Sequence, residues 1–323
     1  MTKPRIRHKR ISILTGSDLS VRRLALIEHD SGKEGPIVWL TACIHGDEVG
    51  GIAVVHEIFS FLKKYPLLKG KVLAFPILNA MAFEVGIRDI PITNEDLNRS
   101  FPGSAKGTVG ERAAYKILNT ILESRPSLVL DLHNDWLRSI PYALLDSGKI
   151  ESKDSYKIAL KTGKEIKLPL VKEPFSAKSD ELVNKTLAGN LLLNDVPALT
   201  LELGTSQIVD EKQVSFGVYI ILEILKSLQM IEINLRPPDD IKTDLSEKIY
   251  TYSDKPYFSQ TGLIRFLIKP GQVISQGKPF ARLYNIFGRL TETLLVERDS
   301  LILGHNDSSV GIPGNPVAAF AQV

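Results

Sequence analysis

With a single cysteine, Cys43, among its 323 residues, the chain cannot close an internal disulfide. A small secreted fold stapled by cross-links is therefore excluded. Cys43 lies in an apolar run and reads as a buried core thiol. Long hydrophobic stretches are also missing. None approaches the ~18 apolar residues of a membrane span, so no membrane partner is expected. The first ten residues are basic, but only the short run 11–14 follows, well below the apolar core of a signal peptide. The expected compartment is the cytoplasm. A strong charge of either sign is lacking too: 40 Lys and Arg stand against 37 Asp and Glu. A net charge of +3 gives no reason to expect nucleic acid or an anionic surface as partner. No repeated motif or low-complexity tract is present.

The length suits two domains. The first two thirds alternate strand-like and helix-like segments. Near-continuous apolar runs at 36–44, 71–78, 127–133 and 197–203 read as buried strands. Apolar residues at helical spacing mark 49–64, 110–123 and 210–228 as helices. This pattern predicts an α/β fold, a mostly parallel (mixed) sheet with helices on both faces. Residues 79–108 show little periodicity and many specific polar side chains, and read as a functional loop. At 235–240 the texture breaks into short apolar strands separated by Gly and Asn turns, which predicts a small C-terminal all-β domain. The expected division is 1–237 and 238–323.

The chemistry concentrates in His45-Gly46-Asp47-Glu48, at the carboxyl end of the first buried strand. Open α/β sheets place their ligand sites there. A neutral imidazole and a carboxylate three residues apart across a strand-to-helix turn can converge on one zinc ion, and Gly46 leaves the backbone free to make that turn. A hydrolytic zinc site takes three protein ligands and keeps a position open for water. His133, ending a neighbouring strand, fits as the third. Asp131 shares its face, two residues away, and is placed to orient a group of the metal site. A lone strand-end His is more often structural, so the reading rests on His45, Glu48 and His133 together. His8 in a frayed terminus, His29 beside a turn, His56 in a helix and His305 in the β domain are weaker candidates.

Hydrolysis also needs a base. Glu202 is the candidate, a carboxylate near the end of an apolar strand, where burial is costly unless it is hydrogen-bonded or functional. The bland alternative is a solvent-facing Glu on an edge strand. Gly204 just after it would let a substrate approach. In the loop, Arg99 offers a planar fork for a carboxylate and Asn98 adds amide donors. A capped loop salt bridge is the plain alternative. Arg88 is either a second anion contact or a group that polarises a scissile carbonyl.

His-Gly-Asp-Glu after an apolar strand, Asn-x-x-Ala-Phe with Gly86 and Arg88, Asp-Leu-Asn-Arg-x-Phe-Pro-Gly at 96–103, Asp-Leu-His at 131–133 and Glu-x-Gly at 202–204 follow in order. Together they resemble the succinylglutamate desuccinylase/aspartoacylase family, relatives of the zinc carboxypeptidases. The resemblance spans most of the chain. It implies that His45, Glu48 and His133 bind one Zn2+ per chain, that Glu202 assists the attacking water, and that Asn98 and Arg99 hold a substrate carboxylate. The implied substrate is a small N-acyl amino acid, cleaved at its amide bond, and homo-oligomers are compatible with it. The C-terminal part is similar to the family's β domain, a biotinyl/lipoyl-like sandwich, without the lysine tip that would carry an attached group. One position departs: where aspartoacylases proper carry an Arg, this chain has Pro91, with Arg88 nearby. Two rival uses of the scaffold are a carboxypeptidase acting on short peptides and a ligand-binding protein without turnover.

Overall fold

A computed structural model describes residues 5–16, 19–174, 176–238, 248–306 and 308–323. Its centre is four parallel strands, in spatial order β4 (Lys71–Phe75), β3 (Ile37–Ala42), β5 (Leu128–His133) and β9 (Ala198–Glu202). These are the predicted apolar runs, and nearly every residue in them is buried. Such runs suit a sheet covered on both faces. The flanks are less parallel. β1 (Arg5–Thr15) and β2 (Val21–Asp30) form an antiparallel hairpin that joins β4 through β2. On the other side, β7 (Tyr142–Leu145) runs antiparallel to β9 and parallel to β8 (Leu170–Lys172). The result is one mixed sheet with a parallel heart.

Alternation along the strands sorts the helices. On β5, Leu128, Leu130 and Leu132 face one way and Val129, Asp131 and His133 the other. α1 (Gly50–Lys64) packs on β3 and β5 and against α7 (Glu211–Ser227). Its approach is close: a side chain at Gly51 would come within 2.9 Å of the Ala42 Cβ and 3.0 Å of the Leu132 Cβ. α3 (Val109–Glu123), α4 (Asp154–Glu165) and α6 (Leu187–Leu193) form a second group, on β1, β5 and β9. α3 starts at a Thr108–Glu111 capping box and ends against β3, where Ser124 accepts a hydrogen bond from the Trp39 indole at 2.7 Å. His133 and Asp131 lie on this second face.

The loop expected at 79–108 holds more structure than its weak periodicity suggested. α2 (Ala80–Val85) starts at an Asn79 cap and ends at Gly86 in the left-handed conformation, φ 69°. Six residues are too few to show a periodic apolar stripe. His8 is not in a frayed end either: it sits in β1, paired with Ile27. His29 does lie just before a turn, as the penultimate residue of β2, and is buried there.

The C-terminal part contributes two layers. β11 (Gly262–Phe266), β13 (Pro279–Tyr284), β14 (Leu290–Leu295) and β16 (Val310–Gly311) make a separate antiparallel sheet. β10 (Ile249–Ser253), β15 (Ser300–His305) and β17 (Ala318–Gln322) instead extend the large sheet, through a parallel pairing of β10 with β8. β17 is therefore buried on both sides. Ala318 and Phe320 pack with Phe280 and Leu283 of the small sheet, while Ala319 and Ala321 pack with Tyr142 and Val171 of the first part. The division expected at 237/238 abuts residues 239–247, which lie outside the described residues.

Candidate metal centre and active site

Two segments meet at the carboxyl end of the parallel strands. The turn after β3 carries His45 and Glu48, and β5 ends in His133. All three are buried, and one nitrogen or oxygen of each lies within 4.8 Å of the others. His45 Nδ1 is 2.5 Å from Glu48 Oε1, and His133 Nδ1 is 2.8 Å from Glu48 Oε2. Two imidazoles and a carboxylate at this spacing suit a borderline-soft divalent ion and could hold one metal ion.

Each donor is fixed from behind. Asp131 Oδ2 lies 3.2 Å from His133 Nε2, and its Oδ1 accepts a 2.6 Å hydrogen bond from the Thr41 hydroxyl on β3. Asp131 thus orients His133, as the shared strand face predicted. Asp96 Oδ1 lies 3.2 Å from His45 Nε2 and also accepts from the Asn98 amide N–H. Asn134 ties strand ends together. Its backbone N–H donates to Glu48 Oε2, its Oδ1 accepts from Gly50 N–H, and its Nδ2 donates to Thr205 O.

Gly46 is required for a different reason from the turn conformation expected of it. A Cβ there would sit 2.0 Å from the carbonyl carbon of Ala82 in α2. The left-handed residue of this turn is Cys43, φ 54°. α2 is pinned to the same turn, since Asn79 Nδ2 donates to Ile44 O. Cys43 itself is buried, and burial followed by the charges of Glu48 and Asp47 pushes its thiol up to about 12, which makes it inert.

Glu202 ends β9 directly opposite His133. It is 8% exposed, and its Oε2 has no hydrogen-bond partner among the described residues. Burial pushes its carboxyl well above the ordinary range, with Asp135 and Glu48 adding to the rise against the pull of His133. It is no solvent-facing edge residue. Gly204 has a packing and backbone reason of its own: a side chain there would strike Gln213, 2.4 Å away, and its φ is +108°. Glu48 is held below the usual carboxylate range: burial opposes this, but His45 and His133 outweigh it. Burial also resists charge on His133, yet Glu48 and Asp131 raise it well above the usual imidazole value.

A cavity of about 270 Å³ opens over these groups, lined also by Arg88, Arg99 and Asn98. The seven residues expected to bind metal, act as base or contact the substrate share its wall. Arg88 is engaged: it donates to Asp96 Oδ2 at 3.0 Å and reaches Glu48 Oε1 at 3.5 Å. Arg99 donates to the Asn98 carbonyl, and Asn98 Oδ1 accepts from Leu187 N–H, with no bond to the Asn98 NH2 among the described residues. The sequence did not single out Asp135 or Tyr252, and pointed to 142–185 only as a pocket-shaping segment; its Tyr142, Asp146 and Glu173 line the same cavity with them. Asp135 was findable, because it continues the alternation of Asp131 and His133. Its carboxyl is pushed up to about 7 by burial, against a hydrogen bond from the Tyr142 hydroxyl. Tyr252 comes from β10, and nothing in its local sequence marks it.

Residues 34–228 match the succinylglutamate desuccinylase/aspartoacylase catalytic domain. The chain is 27% identical over 299 residues to an N-alpha-acetyl-L-2,4-diaminobutyric acid deacetylase of Halomonas elongata, across 90% of this chain and 83% of that protein. The product-bound ectoine utilization protein EutE (DoeB) of Ruegeria pomeroyi superposes with a TM-score of 0.81 at 19% identity, over 100% of this chain and 96% of that one. A succinylglutamate desuccinylase/aspartoacylase of Rhodobacter sphaeroides does so with 0.80 at 20%, over 99% and 95%. The structural likeness at these identities concerns the fold. No helix among the described residues is long and apolar enough to cross a membrane. By its catalytic-domain match and the ordered motifs that line one cavity, the chain belongs to the succinylglutamate desuccinylase/aspartoacylase family of hydrolytic deacylases.

Proposed function

We propose that the protein is a zinc-dependent deacylase of small N-acyl amino acids, with one zinc per chain held by His45, Glu48 and His133. The observation that carries this reading is the unpartnered Oε2 of Glu202 in the same small cavity as the three donors. A buried carboxylate oxygen without a partner is costly, and a reacting water is the partner it lacks. When bound, the ion supplies Lewis acidity, which acidifies water and polarises a carbonyl.

The chain's own groups do the rest. Glu202, made more basic by burial, takes the proton of the attacking water at Oε2. The water oxygen bonds to the acyl carbon, and the carbonyl oxygen gathers negative charge near the Arg88 guanidinium. Glu202 then returns the proton to the amide nitrogen as the C–N bond breaks, releasing a carboxylic acid and an amine. Arg99, with the Asn98 NH2, holds the substrate carboxylate and so fixes the bond over Glu202. The cavity measures only about 270 Å³, with Tyr142 and Tyr252 in its wall, which favours a small substrate over a peptide. The amino acid acyl substrate of the Halomonas relative is of this kind.

The test is turnover of a panel of N-acetyl amino acids and of dipeptides after chelation and after zinc is returned. Hydrolysis of the N-acetyl compounds that disappears with chelator and returns with zinc is expected. Cleavage of dipeptides alone would make the protein a carboxypeptidase, and no hydrolysis in any arm would make it a binding protein.

A further inference from the structure

Glu202 has a neighbour of different chemistry on each side. It pairs with His133 of β5 across one edge of β9 and with Tyr142 of β7 across the other. Residues paired in adjacent strands point to the same face, and all three side chains line the cavity. The order across the sheet is therefore a donor of the metal site, the base and a phenol. Tyr142 is 2% exposed. Its hydroxyl donates to Asp135 Oδ2 at 3.0 Å. Asp135 is anchored in turn, because its N–H donates to Gly204 O at 2.9 Å, just past the end of β9. A phenol has a single O–H to give. With that proton committed to Asp135, the Tyr142 oxygen has lone pairs left to offer, and no group among the described residues donates to them.

That chemistry decides what Tyr142 can receive. A scissile amide presents a carbonyl oxygen, which needs donors, and an N–H, which needs an acceptor. Tyr142 can serve the N–H and not the oxygen. Its position agrees. Glu202 has to reach the attacking water beside His45, Glu48 and His133, and then the amide nitrogen. The donors flank it on the β5 side, so the nitrogen falls on the β7 side, next to the phenol. We propose that the Tyr142 oxygen accepts a hydrogen bond from the N–H of the scissile amide and keeps hold of the departing amine. This rests on the deacylase reading above. As the carbon becomes tetrahedral, the nitrogen gains a lone pair, and a fixed N–H turns that lone pair towards Glu202. Tyr142 is thus a catalytic residue that moves no proton; the proton delivered to nitrogen is the one Glu202 took from water.

The zinc-loaded full-length protein and its Tyr142→Phe variant are assayed on an N-acetyl amino acid and on the O-acetyl ester of the matching 2-hydroxy acid, which has an oxygen in place of the N–H. In the variant, kcat on the amide should fall roughly tenfold further than kcat on the ester, the loss expected for one hydrogen bond. A merely structural role for Tyr142 would lower both alike. Binding gives a second readout, from a phosphonamidate and a phosphonate inhibitor that mimic the tetrahedral carbon and differ only in P–NH against P–O. The phosphonamidate should bind the wild type roughly tenfold tighter, and Tyr142→Phe should abolish that preference. Zinc content and melting temperature report whether the variant folds. If it does not, the wild-type preference decides, and equal affinity for the two inhibitors overturns the inference. Equal loss on amide and ester, or unchanged turnover of the amide, also overturns it and leaves the deacylase reading standing. Hydrolysis of neither compound by the wild type takes down both.

Discussion

Glu48 Oε2 lies 2.8 Å from His133 Nδ1, so the turn after β3 and the end of β5 share one carboxylate. Its other oxygen faces His45. Glu48 therefore serves both imidazoles at once. Glu48→Gln should lower zinc occupancy more than tenfold, as should His45→Ala and His133→Ala, because each removes one of three donors. Zinc content of purified protein by elemental analysis checks this, and normal zinc in all three variants would exclude the site.

Glu202→Gln separates binding from chemistry. Glu202 stands beside the donors and is not one of them. The variant should keep its zinc and lose about 10²–10⁴-fold in kcat. Turnover within a few fold of the wild type would remove Glu202 as the base.

The Thr41–Asp131 hydrogen bond tests how the donors are held. Both residues are fully buried, and Thr41→Val leaves Asp131 Oδ1 without its donor. A loss of about 1–3 kcal/mol in stability is expected, together with a zinc affinity weakened by up to about 10–100-fold because His133 loses its fixed orientation. Urea unfolding and competition with a zinc chelator measure the two.

How much of this was legible in the sequence depends on the range of the interaction. His45 and Glu48 share one turn, and Asp131 and His133 share a strand face, so local spacing, read together with the ordered motifs, brought them out. Glu202 was legible because a carboxylate in an apolar strand contradicts its surroundings. Asp146, Glu173 and Tyr252 were not, since their meeting depends on the register of β7, β8 and β10, which only the folded sheet defines. Gly46 was marked for a reason the structure replaced: the obstacle is the backbone of α2, which approaches from beyond the strand.

That replaced reason is itself testable. Gly46→Ala forces a methyl group against the Ala82 carbonyl carbon, a backbone atom with no rotamer to yield. The variant should lose more than about 2 kcal/mol by overpacking and bind zinc more weakly, because His45 and Glu48 flank the displaced residue. A wild-type melting temperature would show that α2 is free to move away.

Asp146 carries a pH dependence of defined sign. Its carboxyl titrates at about 6 in the fold against 3.8 in an ordinary setting, so the folded state holds the proton more tightly than the unfolded one. Its contribution to stability therefore falls as pH rises from about 4 to 6. Asp146→Asn should match the wild type near pH 4 and exceed it above pH 6 by on the order of 1–3 kcal/mol. Denaturant unfolding at several pH values checks it, and a variant less stable at pH 7 contradicts the assignment.

The seam between β8 and β10 bears on how the chain can be cut. A fragment ending near residue 237 would not be a smaller version of the same enzyme. It would present the edge of β8 as a row of unpaired amide groups, with the apolar side chains that β17 covers laid open beside it. The same cut would strip Tyr252 from the cavity wall. The C-terminal strands are thus both the cover that keeps the sheet from pairing with a neighbour and the wall that limits what the cavity admits.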